Sequence, residues 1–213
     1  MDSDFFRAWL ADAADAIEAQ RDHLTQLDAA IGDADHGINL SRGFGAIMTA
    51  LRDTSTPTPG SVLVLAGSTL ISKVGGASGP LYGMAFRQAG KALADVPEAD
   101  PQSLAGALEA GLAGVQKLGA AREGEKTMVD ALAPAVSAFG KALSEGAPES
   151  EAFEAMAAAA SAGAQATISM QALKGRASYL GPRSVGHEDP GAASTALILG
   201  ALKDVALRLR RDQ

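Results

Sequence analysis

Three aspartates are crowded into one short stretch of the sequence, LDAAIGDADHG. Asp28, Asp33 and Asp35 stand at positions i, i+5 and i+7, and Gly32 and Gly37 let the backbone turn sharply on either side. Carboxylates this close repel one another, and at a helix C-terminus they also oppose the helix dipole. A hard cation with oxygen ligands would compensate the charge, and Mg²⁺ in proteins usually accompanies phosphate. The alternative is an acidic, solvated turn in which an aspartate caps a helix.

Two other kinds of metal site, for calcium and for zinc, can be considered for this sequence. It resembles the start of a calcium-binding EF-hand loop, but with Asp33 as the first position the twelfth is Phe44, where the loop needs a bidentate Glu. The chain has three histidines and no cysteine, which argues against a zinc site. His36 follows the aspartates directly, and a lone histidine is more often a cap or a hydrogen-bond partner than a catalyst.

Glycine-rich stretches could bind an anion at helix starts. The stretch SKVGGASGP leads into a predicted helix, where backbone N–H groups beside Ser78 can form an anion cradle, although an ordinary turn is equally compatible. The stretch GAAREGEKT nearly matches a P-loop, but Glu125 separates Gly124 from Lys126 and no strand precedes it, so the P-loop is rejected. No G-x-G-x-x-G follows a strand either, which leaves a Rossmann site unsupported.

The stretch 174–191 combines positive charge with glycine and proline. Lys174, Arg176 and Arg183 lie within ten residues of an acidic chain and could pair with phosphate, or could simply be surface residues. We expect this stretch to be a long loop that is mobile without nucleotide, with the charges of Lys174 and Arg176 unpaired. Asp189 then precedes a Pro-Gly helix start. A nucleotide–magnesium site in an all-α domain is the interpretation that uses all these features.

Composition bounds the class of protein. The chain has 213 residues, 18 Lys+Arg against 25 Asp+Glu, and a net charge of −7, with nine aromatic residues, which disfavours binding to nucleic acid or to an anionic membrane. No apolar run approaches the length of a membrane span, and acids stand where a signal peptide would carry Lys or Arg. The absence of cysteine fits a reducing cytoplasm. One domain spanning 1–213 is expected.

The elements that must position these residues are helices. Alanine, the best helix former, occurs 46 times, and an alternating strand pattern is hard to find. An amphipathic stripe in the first helix carries Phe6, Trp9, Leu10, Ala13 and Ile17. Glycine and proline then divide the chain into about eight helices, with Ser3, Ser61 and Pro80 near three of the starts. They are predicted at about 3–27, 37–53, 61–74, 80–94, 101–119, 128–143, 148–173 and 192–210.

Four longer motifs carry a family resemblance. GDADHGINLSRGF, GGASGPLYG, GEKTMVDAL and GRASYLGPRSVGHEDPGAAS resemble, in order and spacing, the nucleotide-binding L subunit of dihydroxyacetone kinase. The resemblance implies an all-α fold, a closed barrel-like bundle of about eight antiparallel amphipathic helices. It also implies a nucleotide, ADP or ATP, at one rim with two Mg²⁺ held by aspartates. Pro182 and Glu125 depart from the family pattern, but neither falls on an implied ligand.

The resemblance also implies the site residues. It assigns the metal to Asp28, Asp33 and Asp35, and it assigns no catalytic side chain. The implied nucleotide contacts are His36, Gly37, Ile38, Asn39, Ala77, Ser78, Gly119, Met128, Arg176, Asp189, Pro190 and Gly191.

Two kinds of kinase share such a domain, and the resemblance is to the separate subunit, because the chain has no room for a substrate-binding half. In that form, bound ADP accepts a phosphoryl group from a phosphohistidine protein of the phosphotransferase system and passes it to dihydroxyacetone on a partner subunit. The alternatives are a subunit of an ATP-dependent kinase for a related ketose or sugar alcohol, and a non-enzymatic nucleotide-dependent regulatory module. A cytoplasmic location and a homodimer are further expectations.

Overall fold

The computed structural model describes residues 1–211, with side chains to 209, and all the regular secondary structure in that range is helical, with no strand. It contains the 3₁₀ helix Thr167–Ser169 and a 3₁₀ segment, Arg176–Ser184, that is kinked at Gly181 (φ 56°, ψ −129°). Within the same range, no helix combines the length and apolar character needed to cross a bilayer. The nine α-helices are α1 Ser3–Ala19, α2 Arg21–Ile31, α3 His36–Asp53, α4 Pro59–Lys73, α5 Ser78–Leu93, α6 Pro101–Gly119, α7 Val129–Ser144, α8 Glu149–Ala166 and α9 Pro190–Arg211.

The helices form a closed ring. From α3 onward each helix packs against the next in sequence, α1 and α2 both pack against α3, and α9 packs against α1. Most connections are short, which makes neighbouring helices antiparallel, and only the segment 167–189 between α8 and α9 is long within the described chain. The starts of α3, α5, α7 and α9 therefore gather at one rim, together with the ends of α2, α4, α6 and α8. The predicted barrel-like, antiparallel helical bundle is confirmed.

The first predicted helix is two helices. The chain leaves helical geometry at Gln20 (φ −104°, ψ 9°), where neither glycine nor proline signals a break, and α2 continues to Ile31. The predicted end at Leu27 was therefore wrong, and Asp28 lies in the last turn of α2. The predicted cap was one residue late, because Asp2 accepts the backbone N–H of Phe5 at 3.0 Å.

Other helix starts lie two residues earlier than predicted. Thr58 caps α4, which begins at Pro59, and Ser61 sits three residues after the cap and donates to the Thr58 carbonyl. Helix α5 begins at Ser78, so that Pro80 lies inside its first turn. The broad pattern of alternating helices and turns nevertheless follows the sequence.

The segment after α8 is more structured than predicted. Helix α8 ends at Ala166, short of the predicted 173, and the predicted loop 174–191 contains the 3₁₀ helix Arg176–Ser184. Helix α9 begins at Pro190. Buried Ser184 anchors the segment, since its hydroxyl accepts the backbone N–H of Ala172 at 2.9 Å. Serine hydroxyls thus satisfy backbone groups that an irregular loop would leave to water.

The core runs through the middle of the ring. The amphipathic stripe predicted for the first helix is buried, from Phe6 to Ile17. Trp9 packs its ring against Phe86 with centroids 5.7 Å apart, and its indole N–H donates to the Ile198 carbonyl of α9 at 2.9 Å. Burial of this amphipathic ring, with its polar atom satisfied, joins α1 to α5 and α9.

Candidate functional site

A cavity of about 310 Å³ opens at the rim where α3, α5, α7 and α9 start. The acidic turn, the glycine-rich start of α5, the turn between α6 and α7 and the start of α9 all contribute to its walls. Residues that are far apart in the sequence thus share one site. Twelve predicted residues line it: Asp28, Asp33, Asp35, His36, Ala77, Ser78, Gly119, Met128, Arg176, Asp189, Pro190 and Gly191.

Three predicted nucleotide contacts do not line the cavity. Gly37 faces α2, where a Cβ atom would lie 2.0 Å from the Arg21 carbonyl oxygen. Ile38 is exposed, and buried Asn39 accepts a hydrogen bond from Arg42 at 2.8 Å. Their role toward a nucleotide stays a prediction.

The three aspartates meet at the cavity mouth. Asp28, Asp33 and Asp35 each offer a carboxylate oxygen, and these atoms all lie within 4.8 Å of one another. Asp28 is buried, Asp35 is half-buried and Asp33 is exposed. Hard oxygen donors gathered at this spacing fit Mg²⁺, which takes one or two protein carboxylates and completes its shell with water and phosphate.

Asp28 also builds the turn that follows it. Its Oδ2 accepts the backbone N–H groups of Asp35, at 2.8 Å, and His36, at 3.1 Å, at the N-terminus of α3. A carboxylate is stabilised at this end of a helix by the dipole. A Cβ atom at Gly32 would lie 2.0 Å from Asp28 Oδ1, so the turn requires glycine there.

His36 lies beneath the acidic turn in a buried polar network. Its Nε2 is 2.8 Å from the Ser194 hydroxyl, which is 2.6 Å from the Tyr82 hydroxyl. Burial lowers the pKa of His36, and the charges of Asp28 and Asp35 act in the opposite direction. Burial also raises the pKa of Tyr82 well above its ordinary value. This network joins the starts of α3 and α9 through α5.

Helix starts supply backbone N–H groups to the cavity wall. Within the described chain, Ala77, the residue preceding α5, gives no side-chain cap to that helix, whereas at the start of α7 the Thr127 hydroxyl accepts the Val129 N–H at 3.2 Å. Uncapped first-turn N–H groups and the helix dipole favour an anion. At the start of α9, Asp189 Oδ2 instead accepts the Ala192 N–H at 2.8 Å. Burial raises the pKa of Asp189 to about 7, against the effect of that hydrogen bond.

Arg176 is paired, contrary to our expectation. Its Nε lies 3.1 Å from Asp33 Oδ2, which brings the basic segment onto the acidic turn. The sequence could not show this contact, since it depends on how the ring of helices closes. Lys174 also lines the cavity, as do Tyr82 and Lys126, which were not predicted as site residues. The signal for Lys126 was present in the GEKT stretch, which was weighed as a P-loop and as part of a family motif, but without a role for the lysine.

Sequence comparison identifies the family. The profile of the DAK2 domain matches residues 30–204. The chain belongs to the DAK2 domain family. It is 42% identical over 202 residues to the ADP-binding subunit of PEP-dependent dihydroxyacetone kinase 1 of Listeria innocua, covering 94% of this chain and 96% of that protein. It is 41% identical over 197 residues to the ADP-binding subunit of the PTS-dependent dihydroxyacetone kinase of Lactococcus lactis, covering 92% and 94% respectively.

The fold agrees with a solved relative of this family. The crystal structure of the dihydroxyacetone kinase from C. freundii, in complex with AMP-PNP and Mg²⁺, matches with a TM-score of 0.73 and 29% identity. The match covers 96% of this chain, and the chain spans 34% of that kinase. The resemblance to the nucleotide-binding L subunit of dihydroxyacetone kinase is thereby confirmed.

Proposed function

We propose that the chain is the ADP-binding subunit of a phosphotransferase-system-dependent dihydroxyacetone kinase. In this proposal tightly bound ADP–Mg²⁺ accepts a phosphoryl group from a phosphohistidine protein and passes it to dihydroxyacetone held on a separate subunit. The observation that carries the proposal is the cluster of Asp28, Asp33 and Asp35, with carboxylate oxygens within 4.8 Å of one another, at the mouth of a cavity walled by helix starts. The family names of the relatives support the same assignment.

The aspartates would hold the two Mg²⁺ that the family resemblance implies, since Mg²⁺ usually takes one or two protein carboxylates. When bound, the metal neutralises phosphate charge and fixes the orientation of the transferring group. Asp28 is already held by two backbone N–H groups, which orients its remaining oxygen. Asp33 would exchange its contact with Arg176 for the metal.

The other walls would bind the nucleotide. The first-turn N–H groups after Ala77 can donate to phosphate oxygens, and Arg176 can add a charge-assisted hydrogen bond. Phosphoryl transfer asks for positioning and charge neutralisation, not for a nucleophilic side chain. The absence of a catalytic nucleophile from our predicted site is consistent with that chemistry.

Exposed apolar side chains next to cavity-lining residues are candidates for contact with a partner subunit. Ile38 lies two residues after His36, Leu118 precedes Gly119, Leu173 precedes Lys174 and Tyr179 lies in the 3₁₀ helix that begins at Arg176; all four are exposed. We infer that these exposed side chains contribute to the contact with a partner subunit, since contiguous exposed apolar patches mark protein interaction surfaces. A substrate-binding subunit docked there would meet the bound phosphate.

Reconstitution tests the proposal. The purified chain should retain ADP through gel filtration, and with the dihydroxyacetone-binding subunit and phosphohistidine protein of a related kinase it should form dihydroxyacetone phosphate. The chain alone with ATP should give no product. Turnover by the chain alone would contradict the separate-subunit assignment, while turnover that needs ATP in place of the phosphoprotein would contradict the proposed donor.

A further inference from the structure

Lys126 has unusual surroundings for a lysine. It is only 1% exposed, and its backbone lies in the left-handed region with a φ of 59°. A side-chain-bearing residue persists in that region only when its surroundings hold it there, and such residues gather at functional sites. Ala34 and Ala120, at the acidic turn and at the end of α6, share the feature beside the same cavity. The site is thus bordered by backbone held in strained conformations.

The ammonium group of Lys126 is held by two backbone carbonyls. Its Nζ donates to the Thr167 carbonyl oxygen at 2.7 Å and to the His187 carbonyl oxygen. A buried ammonium is tolerated only when hydrogen bonds and opposite charge replace water. Asp130 supplies that charge, and Asp189 adds to it when ionised: burial lowers the pKa of Lys126, and the two carboxylates act against this effect.

The two carbonyls flank the start of α9. The hydroxyl of Thr167 accepts the backbone N–H of Asp189 at 2.9 Å, and Gly186 donates its N–H to the Ile168 carbonyl at 2.7 Å. Lys126 therefore holds the chain near the start of α9 at two points. One is the carbonyl of His187, two residues before Asp189, and the other is the carbonyl of Thr167, whose hydroxyl accepts the Asp189 N–H. Without the ammonium, both carbonyls would lose a buried donor.

The base of the Lys126 side chain is itself fixed. The Asp130 carboxylate accepts the backbone N–H groups of Gly124, at 2.5 Å, and Thr127, at 2.7 Å, on either side of Lys126. Glu125 adds a further connection, because its carbonyl accepts the Leu173 N–H at 3.1 Å. A rigid turn thus carries the ammonium to a defined point.

We propose that Lys126 is a positioning residue that clamps the Thr167 and His187 carbonyls and so fixes Asp189, Pro190 and Gly191 at the cavity wall. This role rests on the proposed function, since those three residues are the implied nucleotide contacts. The GEKT stretch is not a P-loop, and its lysine binds backbone carbonyls. In this position Lys126 sets the geometry of the site.

Chemical rescue can test the clamp, because the chain contains no cysteine. Lys126→Cys is unfolded, alkylated with 2-bromoethylamine to restore a lysine-like ammonium, or with bromoethane to give an uncharged side chain, and refolded. Lys141→Cys, at an exposed position on α7, is treated identically as the matched control. The readouts are amide exchange without nucleotide and the ADP–Mg²⁺ dissociation constant by calorimetry.

We expect Lys126→Cys and its ethyl adduct to exchange the Gly186 and Asp189 amides on the order of tenfold faster, and to bind ADP–Mg²⁺ on the order of tenfold more weakly. The aminoethyl adduct should recover both quantities, with α4 amides unchanged throughout. Two outcomes would overturn the proposal. One is that the ethyl adduct recovers as much as the aminoethyl adduct. The other is that the aminoethyl adduct does not recover, although the Lys141→Cys protein treated in the same way refolds and binds ADP–Mg²⁺ normally.

A second measurement decides the matter if the cysteine variant does not refold. In ¹⁵N-lysine-labelled unmodified protein, the Lys126 ammonium should give a slowly exchanging signal, assigned by its loss in Lys126→Met. Absence of such a signal overturns the clamp. Both the ammonium signal and the amide-exchange measurement are made without nucleotide. If the chain binds no ADP, the proposed function is refuted, and these two measurements still decide whether Lys126 acts as a clamp.

Discussion

Arg176 reaches across the cavity mouth to Asp33, with 3.1 Å between its Nε and Oδ2 of the carboxylate. Both side chains are substantially exposed, and an ion pair of this kind contributes at most about 1 kcal/mol to stability. The contact therefore tethers the segment only weakly. A ligand that offers a metal to Asp33 and phosphate to Arg176 would replace it at little cost.

Because Arg176 is expected to exchange Asp33 for phosphate when ligand binds, we can predict which part of the segment 174–191 becomes more protected. ADP–Mg²⁺ should slow amide exchange around Gly175–Ser178, because Arg176 gains a phosphate partner stronger than exposed Asp33. The amide of Gly186 should change less, since it already donates to the Ile168 carbonyl. Hydrogen exchange resolved by peptide measures this, with adenosine as the control ligand that lacks phosphate. Equal protection with and without ADP–Mg²⁺ would contradict the expectation that ligand orders this segment.

Asp33→Asn and Asp35→Asn should each abolish tight binding of ADP–Mg²⁺. Each change removes a charged ligand oxygen, and since mutation of outer-shell partners alone costs about 10–100-fold in metal affinity, a loss of about 100-fold or more is expected. Calorimetry with ADP and Mg²⁺ measures the effect. Asp22→Asn, an exposed aspartate on α2 outside the cluster, is the control and should bind normally. Unchanged affinity in both site variants would refute the metal assignment.

Gly32→Ala should damage the acidic turn. The new Cβ would lie 2.0 Å from Asp28 Oδ1 and displace the carboxylate that holds the start of α3. We expect a loss of about 1–3 kcal/mol in the free energy of unfolding, measured by urea denaturation. Gly45→Ala is the matched control, because its Cβ would meet no atom of the described chain within 4 Å. Relief of a mid-helix glycine should stabilise that variant by about 0.5–1 kcal/mol. Equal effects of the two changes would contradict this account.

Asp189 should make the empty protein less stable as the pH rises. Its pKa is raised to about 7 when folded, so the folded state holds a proton that the unfolded state releases above about pH 4. Stability is therefore lost between about pH 4 and pH 7. Asp189→Asn keeps a hydrogen-bond acceptor without the charge. At pH 8 its free energy of unfolding should exceed that of the original protein by about 1–2 kcal/mol. This is less than the full pKa shift implies, because the half-buried side chain borders the cavity.

Urea denaturation at pH 4 and pH 8 checks the Asp189 prediction, and the difference should vanish at pH 4. Glu188→Gln removes the neighbouring charge, which does not line the cavity, and serves as the control. An Asp189→Asn advantage that is the same at both pH values would show that the carboxylate does not titrate as described.

The sequence alone determined the fold class and much of the site. Alanine content and the stripe from Phe6 to Ile17 depend on helical propensity and periodicity, which act between near neighbours in the chain. The spacing of the aspartates around Gly32 is likewise local, so the acidic turn is recognisable from the order of its residues. Family motifs extended that recognition to residues such as Ala77 and Gly191, which do line the cavity.

Tertiary structure decided the contacts that join distant segments. The ion pair of Arg176 with Asp33 and the grip of Lys126 on Thr167 and His187 exist because the closed ring of helices brings the starts of α3, α7 and α9 to one rim. The break at Gln20 has no glycine or proline to announce it. Such features depend on which surfaces meet when the chain closes, and pairing over long sequence separations leaves no periodic trace in the sequence itself.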